Sequence, residues 1–294
     1  MLRRPVSQIT SVRFLPFAAL TAAILLTAMF AFSDKTSQPQ DYSVLQPISS
    51  GNLTIFPVVA AHVHDTAAFL TLDEGVRTGA VVITETSQAP PLVRRQGALP
   101  RSQGAEVNRL VLINNSSRPL LLLAGEIVTG GKQDRVIGAD RIVPAKSDPV
   151  DLSVFCVEPG RWVERSEKFS SMGGQMAQPS VRRPAMATKD QREVWANVGA
   201  SNRAMAKAAP AASETVEVTT SYAGVMQDRA VNERIDKVAT PIQQDYQKLI
   251  KQLRQRNATG VVVAINGQIV WADIFASPDL LETYWPKLVR SYAA

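Results

Sequence analysis

The stretch RLVLINNSSRPLLLLAGEIVTGGKQDRVIGADRIVPAKSDPVDLSVFCV, residues 109–157, decides the fold. Short apolar runs alternate in it with turn-forming residues such as Asn114-Asn115-Ser116-Ser117. The spaces between the runs are too short for the crossover helices that parallel strands require. We therefore predict an α+β fold with an antiparallel, β-rich core, either a sandwich or a barrel-like sheet, flanked by helices.

The C-terminal part of the chain carries strong local signals. Two strand-like runs, 260–265 and 268–275, flank Asn266-Gly267, which is a typical hairpin turn. Ser277-Pro278-Asp279 then starts an amphipathic segment that reaches Tyr292. These patterns predict a C-terminal β-hairpin followed by a helix.

Two further helices and one loop are predicted upstream. Helices are expected over 189–207, capped by Thr188, and over 240–255, where Thr240 is the cap and Pro241 the first helical residue. Residues 166–187 contain few large aliphatic side chains and many Ser, Gly, Met and Pro residues. We predict a mobile loop there, because so little apolar surface does not order a segment by itself.

The N-terminal segment indicates export. Arg3, Arg4 and Arg13 precede a nearly unbroken apolar run from 14 to 32, which is long enough to span a bilayer. Residues 1–33 are predicted to be a signal peptide or an uncleaved N-terminal membrane anchor with a transmembrane helix, and both readings stay open. Residues 34–50 are expected to be a flexible linker and 51–294 a single domain. The predicted location is periplasmic or extracellular, either free or anchored to the membrane.

Composition narrows the classes of partner. The net charge is +6 and the basic residues are scattered, so no basic stripe with interleaved aromatic residues indicates nucleic-acid binding. The excess positive charge weakly favours an anionic ligand. Cys156 is the only cysteine, which excludes an intramolecular disulfide. The only histidines, His62 and His64, have no nearby third ligand, so neither a metal site nor a cofactor is expected.

Charged residues are concentrated within 124–162, around the pair Gly130-Gly131. Lys132 and Arg135 are predicted to clamp an anionic group, while Glu126, Asp134 or Asp140 orient the ligand or act as a base. The complete set of candidate ligand-binding residues is Glu126, Gly130, Gly131, Lys132, Gln133, Asp134, Arg135, Asp140, Glu158 and Arg161. The alternative is a network of buried ion pairs that stabilises the sheet.

Familiar catalytic signatures are missing from the sequence. It contains neither G-x-S-x-G nor the dinucleotide-binding fingerprint, and Gly130-Gly131-Lys132 lacks the spacing of a phosphate-binding loop. Cys156 has no histidine close in the sequence to activate it and is expected to be a small buried residue. Catalytic residues therefore stay unassigned.

The polar stretch resembles a known family. The residues AGE (124–126), GGKQDR (130–135), VP (143–144), CVE (156–158) and GRW (160–162) are similar to the pattern of the domain named for its association with ADP-ribosylglycohydrolases and rhodanese-like phosphatases. The resemblance extends from about Asn52 to Tyr292. It implies a role near ADP-ribose, nucleotide or phosphoester chemistry, but no particular reaction.

Three functional hypotheses follow. The first is an extracytoplasmic binding or accessory module that recognises an anionic, phosphate- or ADP-ribose-like ligand or a protein partner. The second is a hydrolase of a phosphoester or glycosidic bond, with Glu126, Asp134 and Asp140 as acid and base. The third is a structural envelope protein. Whether these residues line an open cleft or a dry core distinguishes the hypotheses.

Overall fold

The structure is a computed structural model that describes residues 41–88, 108–212 and 214–294. The predicted signal peptide or anchor, residues 1–33, and the first part of the predicted linker lie outside these ranges. Among the helices that the structure does describe, none is both long enough and apolar enough to cross a membrane. Residues 41–294 form a single compact unit.

Fourteen strands form in the described ranges, and their bounds follow in chain order. They are β1 (Tyr42–Val44), β2 (Ile48–Ser50), β3 (Leu53–Ala60), β4 (Leu70–Thr71), β5 (Val81–Glu85), β6 (Arg109–Asn114), β7 (Leu120–Leu122), β8 (Glu126–Thr129), β9 (Arg135–Ile137), β10 (Arg141–Val143), β11 (Val150–Cys156), β12 (Ser170–Met176), β13 (Ala258–Ile265) and β14 (Gln268–Ile274).

The helices lie mostly in the second half of the chain. They are α1 (Leu72–Arg77), α2 (Pro179–Arg183), α3 (Gln191–Ala208), α4 (Glu214–Val218), α5 (Tyr222–Gln227), α6 (Arg229–Gln255) and α7 (Pro278–Ala293), with a 3₁₀ turn over Thr86–Gln88 and a π-helical turn over Pro184–Thr188.

The strands form three sheets. The first has the order β1-β3-β13-β14, with β2 also paired to β3; the second has the order β10-β7-β4; the third has the order β12-β8-β9-β11-β6-β5. All pairs are antiparallel except β4 with β7. One sheet curls into a half-barrel, so the predicted α+β fold with an antiparallel, β-rich core is confirmed.

The C-terminal hairpin and helix are also confirmed. Asn266 and Gly267 both have positive φ, +52° and +77°, which suits a tight two-residue turn between β13 and β14. Helix α7 begins after the cap Ser277, whose side chain accepts from the Leu280 N–H. It packs with α6 on one face of the first sheet, where Tyr246 and Trp285 stack at a ring-centroid distance of 4.4 Å.

Two predicted segments contain regular secondary structure where they are described. In the predicted linker 34–50, residues 42–44 and 48–50 are strands that pair with β3, because Ile48 supplies an apolar side chain to the core. In the predicted loop 166–187, β12, α2 and the π-helical turn follow one another. Met172, Met176 and Val181 are buried there, and these few apolar side chains are enough for an edge strand and a one-turn helix.

Candidate functional site

The Gly130-Gly131 turn connects β8 to β9 at the centre of the predicted site. Both glycines have positive φ, and a Cβ on Gly131 would lie 2.3 Å from the Phe169 ring. The Gly130 N–H donates to Asp134 Oδ1 at 3.0 Å, and the Lys132 N–H donates to Glu85 Oε1 at 3.0 Å. These two N–H groups therefore bind the protein's own carboxylates.

Arg161 connects the buried carboxylates beside this turn. Its guanidinium lies 3.2 Å from Asp134 and 2.6 Å from Glu158, and all three side chains are nearly excluded from solvent. It also donates to the carbonyls of Gly131 and Val163, at 3.0 and 2.7 Å. Burial raises the pKa of Asp134, opposed by the Gly130 N–H and the Arg161 charge. The result is a hydrogen-bonded ion-pair network inside the protein.

Arg135 lies in the interior beside this network. Its side chain is completely inaccessible to solvent, and burial lowers its pKa while the nearby Cys156 and Glu85 act to raise it. Burial also raises the pKa of the Cys156 thiol. Gln191 holds the backbone of Cys156 on both sides, accepting from its N–H and donating to its carbonyl, each at 2.9 Å. A ligand cannot reach this guanidinium unless the surface above it opens.

The accessible part of the site is formed by Lys132 and Trp162. The Lys132 ammonium lies 5.4 Å from the centre of the Trp162 ring, and the indole is 44% exposed. The buried Arg135 guanidinium lies 6.0 Å from the same ring. Within the described ranges no carboxylate forms an ion pair with Lys132. A cation and an aromatic face are thus presented together at the surface, and we call this pair the Lys132–Trp162 platform.

Glu126 lies apart from the platform, at the opposite end of β8. Lys287 of α7 contacts it at 2.7 Å and contacts Asp73 of α1 at 2.6 Å. The second oxygen of Glu126 accepts from the Leu123 N–H at 2.9 Å. Burial raises the pKa of Glu126, and the Lys287 charge acts in the opposite direction. Glu126 therefore belongs to an ion-paired triad with the buried Lys287 and with Asp73, whose side chain is 31% exposed.

Asp140 also lies apart from the platform and is exposed. It accepts from the Ala124 N–H at 2.7 Å, while the Ala124 carbonyl accepts from Arg182 at 3.2 Å. Arg182 makes a bidentate ion pair with Asp273 of β14, at 2.8 and 2.9 Å. Gly125 is required here, because a Cβ on it would lie 2.5 Å from the Arg182 side chain.

The structure thus brings together most of the predicted site and separates two members from it. The residues gathered at the turn are Gly130, Gly131, Lys132, Gln133, Asp134, Arg135, Glu158 and Arg161; Gln133 takes part by donating to the Glu158 carbonyl at 3.2 Å. Glu126 and Asp140 belong to other contacts. Ligand binding by these residues stays a prediction.

Sequence reasoning missed the distant partners of these charges: Glu85, Asp73, Arg182, Asp273 and Lys287. Two of them had a visible signal. Lys287 falls on the same helical stripe as Tyr284 and Leu288, and Asp273 interrupts an apolar strand. A charged residue in an apolar pattern indicates a buried ion pair, but it does not identify the partner.

Comparison with known proteins identifies the family. A family model described as the ARG and Rhodanese-Phosphatase-superfamily-associated Protein domain matches residues 41–294. No curated protein and no solved structure matches the chain. The family is associated with the ADP-ribosylglycohydrolase and rhodanese-phosphatase superfamilies, which suggests an accessory domain. The match covers the whole part of the chain that the structure describes, and the chain belongs to this family.

Proposed function

We propose that this domain is a non-catalytic accessory module that binds an anionic, phosphate-bearing ligand at the Lys132–Trp162 platform. The observation that carries the proposal is the Lys132 ammonium, 5.4 Å from the centre of a 44% exposed indole and without a carboxylate partner in the described chain. An ammonium binds phosphate as a point charge, and an indole stacks on a planar ring. A nucleotide or an ADP-ribose-like molecule offers both groups.

The ion-pair network of Arg161 supports ligand binding because it holds the Lys132–Trp162 platform in place. Arg161 bonds to the Gly131 carbonyl on one side of the platform and to the Val163 carbonyl on the other. The backbone that carries Lys132 and Trp162 is thereby fixed before a ligand arrives. A site that is already ordered loses less conformational entropy on binding, which favours affinity.

The burial and pairing of the carboxylates favour a ligand-binding function over a hydrolase function. Glu126 and Asp134 are 1% and 2% exposed, and both are already bound to basic groups. An acid or base must come within hydrogen-bonding distance of its substrate, and these two side chains face the interior. Asp140 alone is exposed.

A structural role in the cell envelope is the second candidate. The buried ion pairs of Arg161 with Asp134 and Glu158 favour it, since such networks also occur where no ligand binds. In either case we propose that the protein is exported and that its N-terminal segment places the domain outside the cytoplasm, free or tethered to the membrane. A protein partner in place of the small anion fits the same platform.

Isothermal titration calorimetry of the full chain with ADP-ribose, AMP and inorganic phosphate tests the proposal. Lys132→Met removes only the ammonium, because the bond to Glu85 comes from the backbone N–H. The loss of one charge-assisted contact costs ~1.5–3 kcal/mol, so phosphate-bearing probes should bind ~10–100-fold more weakly to this variant. Trp162→Ala should weaken the binding of AMP and ADP-ribose but leave the binding of inorganic phosphate unchanged.

Lys237→Met is the matched control, since Lys237 is an exposed lysine on α6. This variant should bind every probe as the wild type does. If no probe binds the wild type, or if Lys132→Met binds as well as the wild type, the ligand proposal is wrong and the structural role is favoured.

A further inference from the structure

The first sheet, β1-β3-β13-β14 with β2, is almost free of charge. Asp273 is the only charged residue in these five strands. Its carboxylate accepts from Arg182 and from the Tyr292 hydroxyl of α7, so it belongs to the interior. The other face of the sheet therefore carries no charged side chain.

The register of the strands defines the two faces. The inner face includes Ile55, Val261 and Val263, which pack with α6 and α7 in one core cluster. The opposite face, called the outer face here, contains two cross-strand rows. One row is Val44, Val58, Gly260 and Ile274; the other is Phe56, Val262 and Ala272. None of these outer-face residues belongs to any core cluster of the described chain.

Several apolar side chains of the outer face are open to solvent. Val44 is 58% exposed at the β1 edge and Ile274 is 49% exposed on β14, whereas Val58 between them is only 3% exposed. An antiparallel sheet with one face in water normally carries polar side chains on that face. Single exposed apolar residues are common, but a continuous uncharged sheet face indicates an interaction surface. β14 is also an edge strand in the described chain, without a lysine or proline that would discourage pairing.

We propose that the outer face binds the same face of a second copy of this chain, so that the protein is a homodimer. In a two-fold contact each patch lies against itself, and an uncharged patch is complementary to itself because no like charges meet. The sheet is wide enough for such a contact. β3, β13 and β14 have seven or eight residues each, and β1 and β2 together lie along the other side of β3. The sheet therefore spans roughly 19 by 27 Å, or about 500 Å² on each copy. The total of about 1,000 Å² reaches the lower range of specific interfaces.

Face-to-face packing of two sheets is the arrangement that this surface suits best. Sheets pack about 10 Å apart with their side chains interdigitating, as in β-sandwiches. Phe56 and Val262 lie in the central strands and would occupy the middle of the contact, with Val44 and Ile274 towards its edges. This inference does not depend on ligand binding at the Lys132–Trp162 platform.

The mass of the full chain in a mild detergent, measured by light scattering with the detergent contribution subtracted, tests the proposal. The wild type should have twice the chain mass of 31.9 kDa. Val44→Lys and Ile274→Lys each place two like charges in a two-fold contact, and each should raise the dimer dissociation constant at least ~100-fold. Both positions are exposed, so circular dichroism and thermal unfolding should match the wild type.

The control variant is Gln247→Lys, which adds the same charge at an exposed position of α6 and should remain a dimer. A wild-type monomer at ~100 µM would overturn the proposal, since specific dimers are far tighter than this. A dimer that persists in both strand variants would also overturn it, because another surface or the N-terminal segment would then hold the copies together. A monomer that binds phosphatidylcholine vesicles through this face would overturn the proposal as well.

Discussion

Replacing Arg182 with methionine should lower the free energy of unfolding by about 3–5 kcal/mol. The guanidinium makes two bonds to Asp273, one to the Ala124 carbonyl, and stacks on Trp271 at 4.6 Å from the ring centre. Without it, a carboxylate is left in the interior with the Tyr292 hydroxyl as its remaining donor from α7. Urea unfolding at pH 7.5 measures the effect.

A surface ion pair provides the control for this variant. Arg229 pairs with Glu233 at 2.8 Å, with side chains 93% and 59% exposed. Arg229→Met should leave the free energy of unfolding close to that of the wild type, because an exposed ion pair contributes little to stability. An Arg182→Met protein as stable as Arg229→Met would show that α2 and β14 do not depend on this contact.

Replacing Lys287 with methionine should lower the free energy of unfolding by a similar amount, about 3–5 kcal/mol at pH 8, because two carboxylates lose their common counterion. The ammonium lies 2.7 Å from Glu126 and 2.6 Å from Asp73, and Glu126 is 1% exposed. The double variant Lys287→Met/Glu126→Gln should be more stable than Lys287→Met alone, since it no longer buries an unpaired charge at position 126. Lys248→Met, at an exposed pair with Asp245, is the control.

The deficit of Lys287→Met, which is its loss of free energy of unfolding relative to the wild type, should depend on pH. The pKa of Glu126 is already raised by burial, and the Lys287 charge acts to lower it, so removing Lys287 raises it further. A carboxyl group with a raised pKa in the folded state binds more protons there than when unfolded. Stability is therefore lost as pH rises from the ordinary glutamate pKa through the raised one. Urea unfolding at pH 5 and pH 8 should show the smaller deficit at pH 5; equal deficits would contradict the account of this triad.

The features that sequence predicted well are those with local causes. The Asn266-Gly267 turn requires positive φ at both positions, and residues of this kind are nearly sufficient to specify a hairpin. The closely spaced runs between 109 and 157 predicted antiparallel pairing because the chain has no room for crossovers. The GGKQDR stretch identified the family because it is long and specific.

The features that sequence missed depend on tertiary contacts. β12 reads as a loop because an edge strand needs only Met172 and Met176 on its buried side. The start of α6 was also misplaced: the helix begins at Arg229 after the cap Asp228, and Pro241 lies inside it. The apolar stripe continues upstream of Pro241 through Val231 and Ile235, which pack against a different part of the core.

The sequence predicted that charged residues cluster at the candidate site, but not which partners these residues contact. The concentration of charge between Glu126 and Arg161 located the Gly130-Gly131 turn and its ion pairs. Sequence could not reveal that Glu126 pairs with a lysine 161 residues away. Nor could it reveal that Glu85 occupies the Lys132 N–H, which leaves the side chains of Lys132 and Trp162 as the accessible groups.

The most direct test of the proposed function is the indole N–H signal of Trp162 in a ¹⁵N-tryptophan NMR spectrum of the full chain, titrated with ADP-ribose. Trp162→Phe assigns the signal, and Trp285, which is buried in the core, provides an internal reference. The account predicts that the Trp162 signal shifts with ligand while the Trp285 signal stays in place, and that Lys132→Met needs ~10–100-fold more ligand for the same shift. A Trp162 signal that does not move at saturating ADP-ribose would contradict it.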